Sequence, residues 1–457
     1  MTAKHLRNVP LAGMNMVLTH AAARGFAPGD PKWINLGQGQ PEIGDIPGAP
    51  PRITSVTLDP GDHAYGPVNG SRPLREAVAA HYNRLYRRDR RDRYTADNVA
   101  IVAGGRPVLG RALAALGRVG VGYLLPDYAA YADLLDHNSP RITPVPVATA
   151  GPEGILAGLA AEGLAALLLS NPRNPTGAVI AGDDLRALVA GAGAAGCALL
   201  VDEFYSHYVY GPAAGPVSAA AHVEDVDGDQ VVLIDGLTKN FRYPGWRLGW
   251  AVGPADTIAV MERVGQALDG GASQVVQRAA LAALEPGYAD AETAAVRAHF
   301  AGKRTLAVEA LRAAGVRVDP EPGGTFYVWG DVSGLPGSLA TADGFFRAAL
   351  DHQVITVPGH VFDLDPGRRR TDTGAFDSRV RFSYGPAVEA VATGLDRIRV
   401  MSTSIADDPP QCSIVGAARG PSLVRVRGGF GDISLLSATV LDHGWRGAGN
   451  RGMSRSG

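Results

Sequence analysis

Residues 237–248 read LTKNFRYPGWRL, a stretch that follows almost at once on the short apolar run 231–234 and places Lys239 just beyond it, with Arg247 eight residues later. A lone lysine is ordinarily a solvated surface group, because its charge resists burial. A lysine kept in apolar surroundings instead loses proton affinity and becomes the free amine that Schiff-base chemistry needs, and Arg247 would supply a phosphate anchor beside it. The runs 122–125, 164–169 and 198–201 are equally short and nearly unbroken. That is the pattern of strands covered on both faces. Helical stretches alternate with these runs, as in 74–88, where apolar or aromatic residues at 74, 78, 82, 85 and 86 share one face. The alternation predicts an α/β fold with a mostly parallel central sheet and helices on both faces.

From about Ala289 to Ala314 the pattern is that of one long helix. The runs 317–318, 325–329, 354–357 and 379–382, with helical 340–352 among them, predict a smaller α+β domain. The expected division is an N-terminal arm and start of the small domain at 1–45, a large domain at 46–290, a small C-terminal domain at 291–402, and a tail at 403–457. The tail is rich in Gly, Ser and Arg, lacks helical period, and reads as disordered.

With 43 Lys and Arg against 45 Asp and Glu, the net charge of −2 points to neither nucleic acid nor a membrane surface. Two cysteines, Cys197 in a buried-looking strand and Cys412 in the tail, suggest neither a disulfide framework nor a metal site. The basic segment Met1–Pro10 lacks the apolar run of a signal peptide, and no uncharged apolar stretch has the length of a membrane span, so a cytoplasmic protein is expected.

Further segments carry chemistry. Asp202, in VDEFYSHY, closes the apolar run 198–201 at the end of the strand where open α/β sheets place ligands, although an aspartate there also serves as a helix N-cap. Residues 170–177, SNPRNPTG, form a proline-stiffened turn after the run 164–169. Residues 103–109, AGGRPVL, form a glycine-rich turn feeding a helix, an arrangement that aims backbone N–H groups at a phosphate. Residues 36–42 read LGQGQPE, 126–128 PDY, 323–327 GGTFY, 357–362 VPGHVF and 379–385 RVRFSYG.

Taken in order, these motifs resemble the class I/II aminotransferases, the fold-type-I, aspartate aminotransferase-like enzymes that depend on pyridoxal 5′-phosphate. The resemblance runs from about Leu36 to Val400, and the NPRNPTG and lysine segments lie about 65 residues apart, in the family's order. It implies that Lys239 carries the cofactor as a Schiff base and shuttles protons, that Asp202 pairs with the ring nitrogen, and that Tyr205 and Asn174 donate to the phenolic oxygen. Tyr128 would stack on the ring, with Tyr131 one helical turn further. Gly105 and Arg106 backbone N–H groups, Thr238, Arg247 and, from a neighbouring subunit, Tyr65 would hold the phosphate, which implies a homodimer. Gly236 departs from the family, where a small polar residue often stands three positions before the lysine. Glu203 and His207 read as local structure.

Toward the substrate, the resemblance gives Gly39 a close backbone approach and Arg381 the α-carboxylate. Arg379 shares a strand face with Arg381 by alternation, and only the motif's register selects Arg381. Phe326 and Phe362 are expected to line the pocket, and Arg106 is weighed as a reader of an acidic substrate side chain. The implied reaction is ping-pong transamination between an L-amino acid and a 2-oxo acid. The alternatives are a β-lyase, decarboxylase or oxidase-like reaction on the same scaffold. A non-catalytic ligand-sensing domain would require a helix-turn-helix module of about 60 residues, for which neither end of the chain shows the pattern.

Overall fold

A computed structural model describes residues 13–147, 151–211 and 215–406. The segment Met1–Pro10, Cys412 and the tail from 407 onward lie outside the described residues.

The strands are β1 (Ile34–Asn35), β2 (Val99–Val102), β3 (Val119–Leu124), β4 (Ile142–Val147), β5 (Ala166–Ser170), β6 (Ala198–Asp202), β7 (Val231–Gly236), β8 (Gly249–Val252), β9 (Tyr327–Asp331), β10 (Val354–Ile355), β11 (Val357–Pro358) and β12 (Arg379–Ser383). Seven of them form the central sheet, in the order β2-β8-β7-β6-β5-β3-β4. β8 runs antiparallel to both its neighbours, and the pairs from β7 across to β4 are parallel.

Successive residues of each strand enter two different cores, which explains the unbroken apolar runs. Ala166 and Leu168 pack on the side of Leu109 and Ala112 from the helix Gly105–Ala115. Leu167 and Leu169 pack on the opposite side, with Leu185 and Leu188 from the helix Gly182–Ala194. The sheet is thus an apolar layer between two helical layers, as expected from the sequence.

Three strands of the central sheet fall outside the runs singled out in the sequence. β4 reads ITPVPV, and its two prolines are tolerated because it lies at the sheet edge, where the missing N–H groups need no partner. β2 and β8 are each four residues long.

The smaller α+β part holds the antiparallel sheet β11-β12-β9 and the parallel pair β1-β10. The long helix is observed at Pro286–Ala313. The run 354–357 divides in two: Val354–Ile355 pairs with β1, while Val357–Pro358 pairs with β12. The expected strand at 317–318 is only a bridge from Arg317 to Asp331. Residues 403–406, expected to belong to the tail, are instead the end of the last helix, Val388–Ala406.

An N-terminal helix, Gly13–Ala22, buries Val17 and Ala21 against Phe346, Leu350 and Phe362. Among the described residues, no helix is long and apolar enough to cross a membrane, and no cluster of three or more His, Cys, Asp or Glu could hold a metal ion.

Candidate active site

The C-terminal ends of β5, β6 and β7 and the N-terminus of the helix Gly105–Ala115 meet at a cavity of about 580 Å³. Its lining brings together Gly39, Gly105, Arg106, Tyr128, Asn174, Asp202, Tyr205, Thr238, Lys239, Arg247, Phe362 and Arg381 from the sequence set.

Lys239 stands three residues beyond β7, half-buried, and its Nζ donates to the Gly39 carbonyl. Loss of water by burial is the main cause that brings its amine down to about 7; the cations Arg381, Arg247 and Arg106 push the same way, and Asp202 opposes them.

Gly236 has a structural cause. A Cβ there would lie 2.5 Å from both Gly249 Cα and the Leu248 carbonyl, so the pairing of β7 with β8 admits only glycine. The polar group is supplied two residues later, since Thr238 Oγ1 is buried without a partner in the protein and Thr238 lines the cavity.

Asp202 ends β6 and is buried. Its Oδ2 accepts from Tyr131 Oη at 2.9 Å and its Oδ1 from the Phe204 N–H at 3.3 Å. Burial raises its carboxyl to about 6, against the pull of Tyr131, the Phe204 N–H and the Lys239 charge. The link from Tyr131 to Asp202 is not visible in sequence, where Tyr131 counts only as a neighbour of Tyr128. The Tyr128 and Tyr131 rings do meet edge to face, with centroids 5.4 Å apart. Tyr205 and Tyr327 share a hydrogen bond of 2.6 Å between their hydroxyls.

At the helix end, Gly104 has φ +105, a conformation that disfavours any side chain, and a Cβ there would lie 2.6 Å from Arg247 Nη2. Gly105 and Arg106 open the helix, so their N–H groups have no carbonyl a turn earlier to bond. Two free backbone donors, the unpartnered Thr238 hydroxyl and the Arg247 guanidinium therefore converge on one end of the cavity. This set fits a phosphate.

The other wall comes from the smaller part. Arg381, buried on β12, donates from Nη1 to Asn174 Oδ1 at 2.7 Å and from Nη2 to the Gly37 carbonyl at 2.6 Å, and its Nε has no partner. Its guanidinium lies 4.1 Å from the Tyr327 ring centroid and 4.7 Å from that of Phe362. Arg379 lies opposite Asp331, with which it pairs at 3.8 Å, and is only half-buried. Position along the strand separates the two arginines that alternation could not.

Phe326 is a correction. It is buried beneath the site and does not line the cavity; its ring packs on Tyr205 at 5.3 Å and on Tyr208 at 5.2 Å. Tyr327 lines the cavity instead, because β9 starts at this residue, after Thr325 has turned the chain with φ 65. Tyr65 is fully exposed and lies outside the cavity lining. Met14, Asn15 and Leu18, on the N-terminal helix, line the mouth; no motif marks them.

A doubly covered, mostly parallel sheet with a low-pKa lysine, an aspartate and a phosphate-type cradle at its strand ends defines a fold-type-I cofactor enzyme. The family model for aminotransferase class I and II matches residues 31–398, and the chain belongs to this family. Family and fold imply pyridoxal 5′-phosphate as the cofactor, which the donor set above fits. The chain is 29% identical over 409 residues to an aspartate aminotransferase of Streptomyces avermitilis, covering 82% of this chain and 90% of that protein. It is 28% identical to a probable N-succinyldiaminopimelate aminotransferase of Mycobacterium tuberculosis, covering 81% and 92%. Among solved structures, an aspartate aminotransferase from Thermus thermophilus with maleate superposes with a TM-score of 0.72 at 24% identity, covering 87% of this chain and 100% of the other.

Proposed function

We propose that this enzyme moves an amino group between an L-amino acid and a 2-oxo acid in a ping-pong reaction, with pyridoxal 5′-phosphate bonded through Lys239. The observation that carries the reading is Lys239 itself, an amine brought down to about 7 inside a cavity that also holds Asp202, Asn174, Thr238, Arg247 and Arg381. When bound, the cofactor supplies an aldehyde for the incoming amino group and a ring that draws electrons from the substrate Cα.

The protein's own groups do the rest. Lys239 Nζ, poised between its charged and neutral forms near neutral pH, takes the proton from the substrate Cα and would deliver it to the cofactor carbon that bears the amino nitrogen. Asp202 would hold a proton on the ring nitrogen, and Tyr131 fixes the carboxylate for that task. Tyr205 and Asn174 would donate to the phenolic oxygen of the cofactor, and Tyr128 would cover its ring. The Gly105 and Arg106 N–H groups, Thr238 and Arg247 bind phosphate. Arg381, already anchored on Asn174 and Gly37, has its unpartnered Nε for the substrate carboxylate, beside the backbone of Gly39.

Tyr65, fully exposed in a single chain, fits a reach to the phosphate in a second subunit, and we read the enzyme as a cytoplasmic homodimer. The domain bounds at 45/46 and 290/291 belong to the same proposal. One substrate is a dicarboxylate. Arg106 supports this, since it lines the cavity and its Nε donates to Tyr128 Oη at 3.2 Å, and so does the relative named aspartate aminotransferase.

The test is to mix cofactor-loaded enzyme with one L-amino acid and no acceptor. One equivalent of 2-oxo acid per site, with the amino group retained on the enzyme, is expected. Release of ammonia or carbon dioxide, or consumption of oxygen, would sink the proposal in favour of lyase, decarboxylase or oxidase chemistry. Comparing kcat/KM for glutamate and an apolar amino acid in Arg106→Ala tests the dicarboxylate: the loss should fall on glutamate alone.

A further inference from the structure

Asp127 stands between Pro126 and Tyr128, fully buried, and the reaction proposed above gives it no part. It lies behind the cavity wall: Tyr128, Ser170 and Asn174 line the cavity, and Asp127 does not. Taking a carboxylate out of water is costly, so one that stays buried is held by donors.

Three donors meet it, since Oδ1 accepts from the Ser170 hydroxyl and from the Tyr128 N–H at 2.7 Å, and Oδ2 accepts from the Ser170 N–H at 3.3 Å. Ser170 Oγ in turn accepts from the Asn174 N–H at 3.1 Å, and Asn174 Oδ1 accepts from Arg381 Nη1 at 2.7 Å. One carboxylate therefore begins a chain that runs through Ser170 and Asn174 to the arginine expected to take the substrate carboxylate. The rest of the turn is fastened without Asn174: Asn171 exchanges two side-chain bonds of 2.8 Å with the Ile180 backbone, and the Arg173 N–H reaches the Ala178 carbonyl at 2.8 Å.

The direction of the chain follows from its first member. An ionised carboxylate only accepts, so Ser170 gives it the hydroxyl proton and turns its lone pairs to the Asn174 N–H. Burial raises the Asp127 carboxyl to about 7, against the pull of the buried Arg173 on the same turn, the Ser170 hydroxyl, and the N–H groups of Tyr128 and Ser170. Its charge is also felt by Tyr131, the partner of Asp202.

We propose that Asp127 is a positioning residue for the cofactor side of the cavity: through the Ser170 hydroxyl it sets Asn174 against the phenolic oxygen, and through the Tyr128 N–H it sets the residue that covers the ring. The inference rests on the cofactor reading given above.

The visible absorption of the lysine-bound cofactor tests it. A donor to the phenolic oxygen favours the charged form of that oxygen and lowers the pH at which the absorption changes. In the cofactor-loaded enzyme, Ser170→Ala should raise the midpoint of this titration by about 0.4–1 unit, the equivalent of one hydrogen bond. In an Asn174→Ala background the same substitution should move it by no more than about 0.3 unit. Asp127→Asn keeps the volume but sets an amide NH2 against a donor, and it removes a charge that acts on the cofactor in every background. The two effects separate in a second cycle: the shift caused by Asp127→Asn should differ by about 0.4 unit or more between the wild type and Ser170→Ala. Equal shifts within either cycle overturn the proposal, and where Asp127→Asn does not fold the first cycle decides. A loaded wild type without this titration overturns the reading of Lys239 as well, whereas an unmoved midpoint in Ser170→Ala overturns this inference alone.

Discussion

The two walls of the active-site cavity are built differently. On the cofactor side, Asn174, Asp202, Thr238 and Lys239 each lie at or within a few residues of the C-terminal end of a parallel strand, on loops held by the rigid sheet. On the substrate side, Gly39, Tyr327, Phe362 and Arg381 come from short strands and connecting segments of the smaller part, and Met14 and Leu18 from the N-terminal helix. The first wall is a property of one sheet. The second exists only where separate segments of the small part converge, and it is joined to the first by a few polar bonds: Arg381 to Asn174, Tyr327 to Tyr205, and Lys239 to Gly39.

Substitutions can break this contrast, beginning with the largest effect. Lys239→Ala removes the group that bonds the cofactor and carries the proton. It should lower kcat by about 10⁴-fold or more in steady-state assays, with little change in the thermal midpoint. A fall of less than tenfold would remove Lys239 from the chemistry.

Phe326→Ala should act on stability instead, by about 3–5 kcal/mol in denaturant unfolding, because it empties a packed ring site beneath Tyr205 and Tyr208. KM should stay near its wild-type value. A large rise in KM at unchanged stability would return Phe326 to the pocket lining.

Arg381→Lys keeps the charge but loses the planar fork held between Asn174 and Gly37. KM for the amino acid should rise by about 10²-fold, more than kcat falls. A proportionate fall in kcat alone would show that the substrate wall acts in the chemical step rather than in binding.

The smallest effect is expected from Tyr327→Phe, which deletes the hydroxyl paired with Tyr205. A single neutral hydrogen bond contributes about 0.5–1.5 kcal/mol, so kcat/KM should fall by roughly 2- to 10-fold. No measurable change would mean that the bond between the walls at Tyr205 does not position that hydroxyl.

The same contrast explains what could be read in advance. Asp202 is legible because a parallel strand covered on both faces is a short apolar run and its ligand end is the residue where the run stops, whereas Asn174 and Lys239, a few residues past such runs, are legible from the motifs SNPRNPTG and LTKNFRYPGWRL. Tyr131 was visible only as an aromatic one turn beyond Tyr128. Its bond to Asp202 joins positions 71 residues apart, and no local pattern records it. The choice between Phe326 and Tyr327 depends on which residue follows the left-handed turn at Thr325, and the two neighbours are equally aromatic in sequence. The helix Gly13–Ala22 lines the mouth with Met14 and Leu18, which in sequence look like any apolar helix face.

By itself the sequence determined the layered α/β architecture and, through its motifs, the family, because each is written in short stretches of consecutive residues. The tertiary structure alone decided the glycine at 236, required by the close crossing of β7 and β8, and the separation of Arg381 from Arg379. These depend on distances between segments far apart in the chain, and such distances are fixed only when the segments pack.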